Sequence, residues 1–164
     1  MATLSLPEAL LGPPQRTLAI AESLTAGGLQ LRVGRISGAS QFFLGGITAY
    51  NLKQKVRHLG VDCTMAAAVD CVSAAVAEQM AQGVCGLFGA DIGLATTGYA
   101  EPNPEKEVAE PFGWWALAQR QPGGGFTLQH GRVNCPGLSR AAAQDAVTEA
   151  AWAALLRGVR AGAV

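Results

Sequence analysis

Thr17-Leu18-Ala19-Ile20-Ala21 runs straight into Glu22-Ser23-Leu24-Thr25-Ala26-Gly27-Gly28, after which Leu29, Val33 and Ile36 recur at helical spacing. A short apolar run that stops at small residues reads as a buried strand, and the period that follows reads as a helix. Ser37-Gly38-Ala39-Ser40 breaks that helix. The unit is therefore strand, small-residue turn, helix, and it sets the grammar for the rest of the chain. Phe42 to Tyr50 reads as a second strand, with Gly45 and Gly46 marking a bend or a close approach. Asn51 is placed to cap a helix in which Leu52, Val56 and Leu59 recur, and Gly60 ends it. Cys63 to Phe88 is mostly helical, with Ser73 as an N-cap before the stripe Val76, Met80, Val84 and Leu87. Asp91 to Thr97 reads as a third strand.

Gly98 to Pro111 carries three prolines and four glutamates and reads as an exposed loop. Phe112 to Gln119 and Phe126 to Val133 flank Gln121-Pro122-Gly123-Gly124-Gly125 as a hairpin. Ser139 caps a last, alanine-rich helix that reaches about Arg160. Strands alternating with helices, plus one late hairpin, predict a three-layer α/β/α sandwich with a mixed, mostly parallel sheet. At 164 residues the chain is a single domain, 1–164, with a core at about 15–160. Residues 1–14 hold Pro7, Pro13 and Pro14 without a sustained period and are expected to be a loose leader.

Composition excludes several function classes. Apolar residues make up 49% and charged residues 15%, which excludes disorder. Twelve basic and twelve acidic residues give a net charge of zero, so the basic excess of a sequence-independent nucleic-acid binder is missing. A near-neutral surface favours self-association, and a homo-oligomer, a dimer, is the expectation. Trp114 and Trp115 on the hairpin could serve such a contact or could pack on the sheet. The longest uncharged stretch, Ile36 to Leu52, is too polar and glycine-rich for lipid, and the first sixteen residues lack a signal-peptide pattern, so a cytoplasmic protein is expected. Cys63, Cys71, Cys85 and Cys135 include no C-x-x-C pair, and His58 and His130 are the only histidines. No metal site is expected, and the cysteines read as small buried hydrophobes.

Three places could carry chemistry. Ser23 follows a strand and opens a helix, so it reads either as a plain N-cap or as a nucleophile with backbone N–H groups beside it. Tyr50 ends a strand, and Lys55 lies one turn into the next helix. Both could overhang one crevice, where a lysine with a depressed pKa could take a proton from a serine. Equally, Lys53, Lys55 and Arg57 could form one exposed basic face. Thr96-Thr97-Gly98-Tyr99 either ends a strand in a turn or admits a ligand between small residues.

Taken together, the motifs resemble the CinA C-terminal domain family, which includes the nicotinamide-nucleotide amidohydrolases. The resemblance is carried by Ala21-Glu22-Ser23-Leu24-Thr25-Ala26-Gly27, by Gly45-Gly46-Ile47-Thr48-Ala49-Tyr50 with Lys55, by His58-Leu59-Gly60-Val61, by Val72-Ser73 through Met80, and by Gly89 through Gly98. It implies a Ser–Tyr–Lys site that hydrolyses the carboxamide of nicotinamide mononucleotide to the acid and ammonia. Ser23 would be the nucleophile, Lys55 the general base and Tyr50 the assisting hydroxyl. Glu22, Thr25, Gly27, Gly46, Ser73, Thr97, Gly98 and Arg140 would line the substrate. No cofactor is implied, and the partner is a small molecule, a nicotinamide nucleotide.

Two stretches depart from the family. Tyr99-Ala100-Glu101-Pro102-Asn103-Pro104 replaces a glycine-rich loop, and Glu110 stands where the family has a lysine. After Asn134-Cys135-Pro136, one arginine, Arg140, remains of a more basic segment. A phosphate beside Glu101 and Glu110 would be repelled. The departures leave two alternatives: hydrolysis of a different small amide, or a member that binds a ligand or partner without catalysis.

Overall fold

The computed structural model describes residues 4–161. Their helices are α1 (Leu6–Leu11), α2 (Gly28–Gly34), α3 (Leu52–Leu59), α4 (Cys63–Ala68), α5 (Ala74–Phe88) and α6 (Arg140–Ala161). Their strands are β1 (Leu18–Glu22), β2 (Phe43–Thr48), β3 (Ile92–Tyr99), β4 (Phe112–Arg120) and β5 (Phe126–Asn134). They form one sheet in the order β2-β1-β3-β4-β5. β1 lies between β2 and β3 and is parallel to both, and β4 is antiparallel to β3 and β5. Only β4 therefore runs against the others among the described strands, as the mixed, mostly parallel expectation requires.

The layers follow from an alternation of side-chain size. Neighbouring residues of a strand face opposite sides of the sheet. Leu18, Ile20, Ile92, Leu94 and Leu117 face one side and pack with Leu10 of α1, Leu29 and Val33 of α2, and Leu155 and Val159 of α6. Ala19, Ala21, Ala95, Ala116 and Ala118 face the other side and pack with α3, α4 and α5 through Leu59, Ala66, Val76, Met80 and Val84. The small face lets α5 lie directly on the sheet. A Cβ on Gly93 would overlap the Ala81 carbonyl, and one on Gly83 would overlap the Leu59 carbonyl. Trp114 packs with the α5 layer and Trp115 with the α6 layer, so the sheet accounts for both.

Local signals explain the elements. Asn51 Oδ1 accepts the Gln54 N–H at 3.1 Å, and Gly60 closes α3 at φ 65°. Ser73 Oγ accepts the Val76 N–H at 3.2 Å and starts α5. Between α4 and α5, Asp70 and Cys71 both take left-handed backbone, at φ 50° and 63°. The loose-leader expectation for 1–14 needs correction, although residues 1–3 lie outside the described residues. Ser5 and Glu8 form a reciprocal capping box, and Pro7 sits in the first turn, where it sacrifices no helical hydrogen bond. Leu6, Ala9 and Leu10 are buried, so α1 docks as part of the core. No described helix is long and apolar enough to cross a membrane.

Candidate active site

The carboxyl ends of β1, β2 and β3 meet at one edge of the sheet. The chain leaves β1 toward β2 on one side and returns as β3 on the other, the topological switch point where open α/β sheets leave a crevice. Ser23 is the first residue beyond β1.

The turn that carries Ser23 hangs on Glu22. This side chain is fully buried, at 0% exposure. Its Oε2 accepts the Thr25 hydroxyl at 2.5 Å and the Gly27 and Leu29 N–H groups at 3.1 Å each. Its Oε1 accepts the Gln30 backbone N–H at 2.9 Å and the Gln30 amide at 3.1 Å. Every neighbour is a donor, so the acceptor-only carboxylate is satisfied and stitches the start of α2 to the end of β1. The Thr25 proton is committed to Glu22, so Thr96 donates to Thr25 across their 2.8 Å contact. Gly27 provides the left-handed step into α2, at φ 102°.

Lys55 turns inward. Lys53 and Arg57 are exposed, while Lys55 is 1% exposed. That decides against a shared basic face. Its Nζ donates to Ser23 Oγ at 2.9 Å, to the Ala49 carbonyl at 2.9 Å and to the Tyr50 carbonyl at 3.2 Å. Burial pushes its pKa below the usual 10.5, against smaller opposing effects from Cys71 and Asp70. The same three contacts suit the neutral amine: two N–H groups meet the two carbonyls, and the lone pair faces the Ser23 hydroxyl.

A cleft of about 220 Å³ opens in front of Ser23, walled by Leu24, Tyr50, Gly98, Tyr99, Glu101 and Arg140 among others. Tyr50 is half-exposed, and its hydroxyl accepts from Arg140 Nη2 at 2.8 Å. Its carbonyl, rather than its hydroxyl, meets Lys55. Arg140 Nη1 donates to Glu101 Oε1 at 2.6 Å. Behind the cleft the Tyr99 hydroxyl donates to Asp70 at 2.8 Å, and Lys106 pairs with Asp70 at 3.3 Å. Burial, reinforced by Asp70, pushes the Tyr99 hydroxyl up to about 12.

Ser23, Tyr50, Gly98 and Arg140 thus converge on one cleft, with Lys55 directly behind Ser23. The remaining substrate-lining residues named from the sequence sit elsewhere. Glu22 and Thr25 form the buried support described above, and Gly27 lies in the turn into α2. Gly46 lies against the Gln30 side chain, and Ser73 caps α5. Thr97 is buried and donates to the Cys71 carbonyl at 2.7 Å. Asp70 has no signal in the sequence, since its approach to Tyr99 depends on two successive left-handed residues. His130 pairs with Glu78 at 2.7 Å, and among the described residues no three His, Cys, Asp or Glu side chains are grouped to hold a metal.

The CinA C-terminal domain family model matches residues 7–159. A CinA-like protein of Picosynechococcus sp. is 42% identical over 69% of this chain and 27% of its own length. A CinA-like protein of Frankia casuarinae is 42% identical over 74% of this chain and 27% of its own length. The chain spans about a quarter of the length of these curated relatives. Among solved structures, a competence-damaged protein (CinA) superfamily protein from Klebsiella pneumoniae superposes with a TM-score of 0.80 at 27% identity, covering 93% of this chain and 91% of that one. This chain belongs to the CinA C-terminal domain family.

Proposed function

We propose that the chain is a serine amidohydrolase that converts the carboxamide of nicotinamide mononucleotide, or of a related small amide, to the acid and ammonia. The observation that carries the reading is the 2.9 Å contact between the buried Lys55 amine and Ser23 Oγ at the mouth of a cleft. Burial lowers the pKa of this amine, which raises the share of the neutral form that can act as general base.

The steps follow from that pair. Neutral Lys55 takes the Ser23 proton as Oγ bonds to the carboxamide carbon. The carbonyl oxygen becomes an oxyanion. The Leu24 N–H lies beside Ser23 and donates to no protein acceptor among the described residues, so it is free to receive that charge. The Lys55 ammonium then protonates the leaving nitrogen, the C–N bond breaks, and ammonia departs from an acyl-Ser23 ester. Water attacks the ester and gives a proton to Lys55. Collapse returns that proton to Ser23 Oγ and releases the acid. The Ala49 and Tyr50 carbonyls hold Nζ in line throughout. Tyr50 takes a positioning role here: its carbonyl orients Lys55, and its ring and hydroxyl line the cleft.

The test is ammonia release on incubating the chain with nicotinamide mononucleotide and a panel of small primary carboxamides. Release that is abolished by Ser23→Ala and by Lys55→Ala supports the reading. No release from any member of the panel leaves a ligand- or partner-binding role. Activity that survives both substitutions removes the mechanism.

A further inference from the structure

We propose that Glu101 makes this cleft selective for small carboxamides without a phosphate, by holding Arg140 across its mouth; this deepens the hydrolase reading and rests on it. The cleft wall contains one cation, Arg140, and one anion, Glu101. The two form an ion pair, so the wall offers an incoming dianion no uncommitted positive charge. Both terminal nitrogens of Arg140 are engaged, one by Glu101 and the other by the Tyr50 hydroxyl. A phosphate seeking Arg140 would have to displace Glu101 and then sit beside its carboxylate.

The loop keeps that carboxylate in place. Glu101 precedes Pro102, which restricts its backbone, and the loop is pinned by paired backbone hydrogen bonds between Asn103 and Val108. The cleft is small, about 220 Å³. A planar carboxamide with an uncharged or cationic body suits its charge pattern, and a phosphorylated body does not. A pyridinium carboxamide at the nucleoside level has that chemistry.

The test has two arms on the full chain. In the first, calorimetry measures binding of inorganic phosphate and ribose 5-phosphate to wild type, Glu101→Gln, and Glu101→Gln combined with Arg140→Ala. Glu101→Gln should bind either anion at least roughly tenfold tighter than wild type, and adding Arg140→Ala should cancel the gain. In the second, kcat/KM is compared for nicotinamide riboside and nicotinamide mononucleotide. Wild type should favour the riboside, and Glu101→Gln should move the ratio toward the mononucleotide by roughly tenfold. Wild-type preference for the mononucleotide, or an unchanged ratio in Glu101→Gln, overturns the proposal. If neither amide yields ammonia, the hydrolase reading fails, and the anion arm alone decides the role of Glu101: a gain through Arg140 sustains it, and no gain overturns it.

Discussion

Replacing Glu22 by glutamine tests whether the nucleophile turn hangs on one buried carboxylate. The two side chains have nearly the same shape, but glutamine has one acceptor and one donor group where glutamate has two acceptors. Placed with its oxygen toward Thr25, Gly27 and Leu29, it turns its NH₂ toward the Gln30 backbone N–H and the Gln30 amide. Placed the other way, it faces three donors with a donor. The better orientation still loses two hydrogen bonds to a carboxylate, each worth about 1.5–3 kcal/mol. The Gln30 amide can rotate and recover part of this, which brings the net cost to about 3 kcal/mol. Loss of the negative charge at the start of α2 adds about 0.3–1 kcal/mol. For a domain of this length each kcal/mol lowers Tm by roughly 2–4 °C, so Glu22→Gln should melt about 6–16 °C below wild type. Urea titration should show a lower midpoint with an unchanged m-value. A variant within about 1 kcal/mol of wild type, a shift of roughly 2–4 °C at most, would refute the support role assigned to Glu22.

Three further outcomes follow from the same structure. The rate kcat/KM should rise with pH as Lys55 loses its proton, with a midpoint below 10.5; folding stability should also rise through that window, because the unfolded lysine binds a proton that the buried one gives up, and Lys55→Met should remove both slopes. Gly83→Ala should lose about 1–3 kcal/mol in a urea titration despite the higher helix propensity of alanine, because its Cβ would overlap the Leu59 carbonyl; a neutral or stabilised variant would contradict the close α3–α5 packing. Leu10→Ala should cost about 2–5 kcal/mol by the same method, and no measurable change would return residues 6–11 to the status of a loose leader.

Much of the fold is legible in residue patterns. β1 and its small-residue turn stand out because an apolar run that stops abruptly at Glu22-Ser23 fits a buried strand and little else. Asn51 and Gly60 bound α3 through cap chemistry, and Gln121 to Gly125 mark the hairpin. α1 escapes the same reading because its prolines look like breakers, whereas Pro7 occupies the first turn, where proline is tolerated. The alternation of Leu18 and Ile20 with Ala19 and Ala21 is also plain in the sequence, but both kinds count as apolar in a periodicity reading. Only side-chain size reveals which face admits α5. The inward turn of Lys55 has a signal: it lies three residues after Leu52 and four before Leu59, on the buried stripe of α3. The carbonyl role of Tyr50 and the pairing of Arg140 with Glu101 have none, since they depend on where a loop and the start of α6 come to rest across the sheet edge.

The proposed chemistry requires the buried amine next to Ser23 to shed its proton readily enough to serve as a base. A heteronuclear NMR titration of the Lys55 side chain, assigned by its loss in Lys55→Met, measures this without any substrate. The midpoint should fall clearly below 10.5, and a midpoint at or above 10.5 would rule out Lys55 as the base.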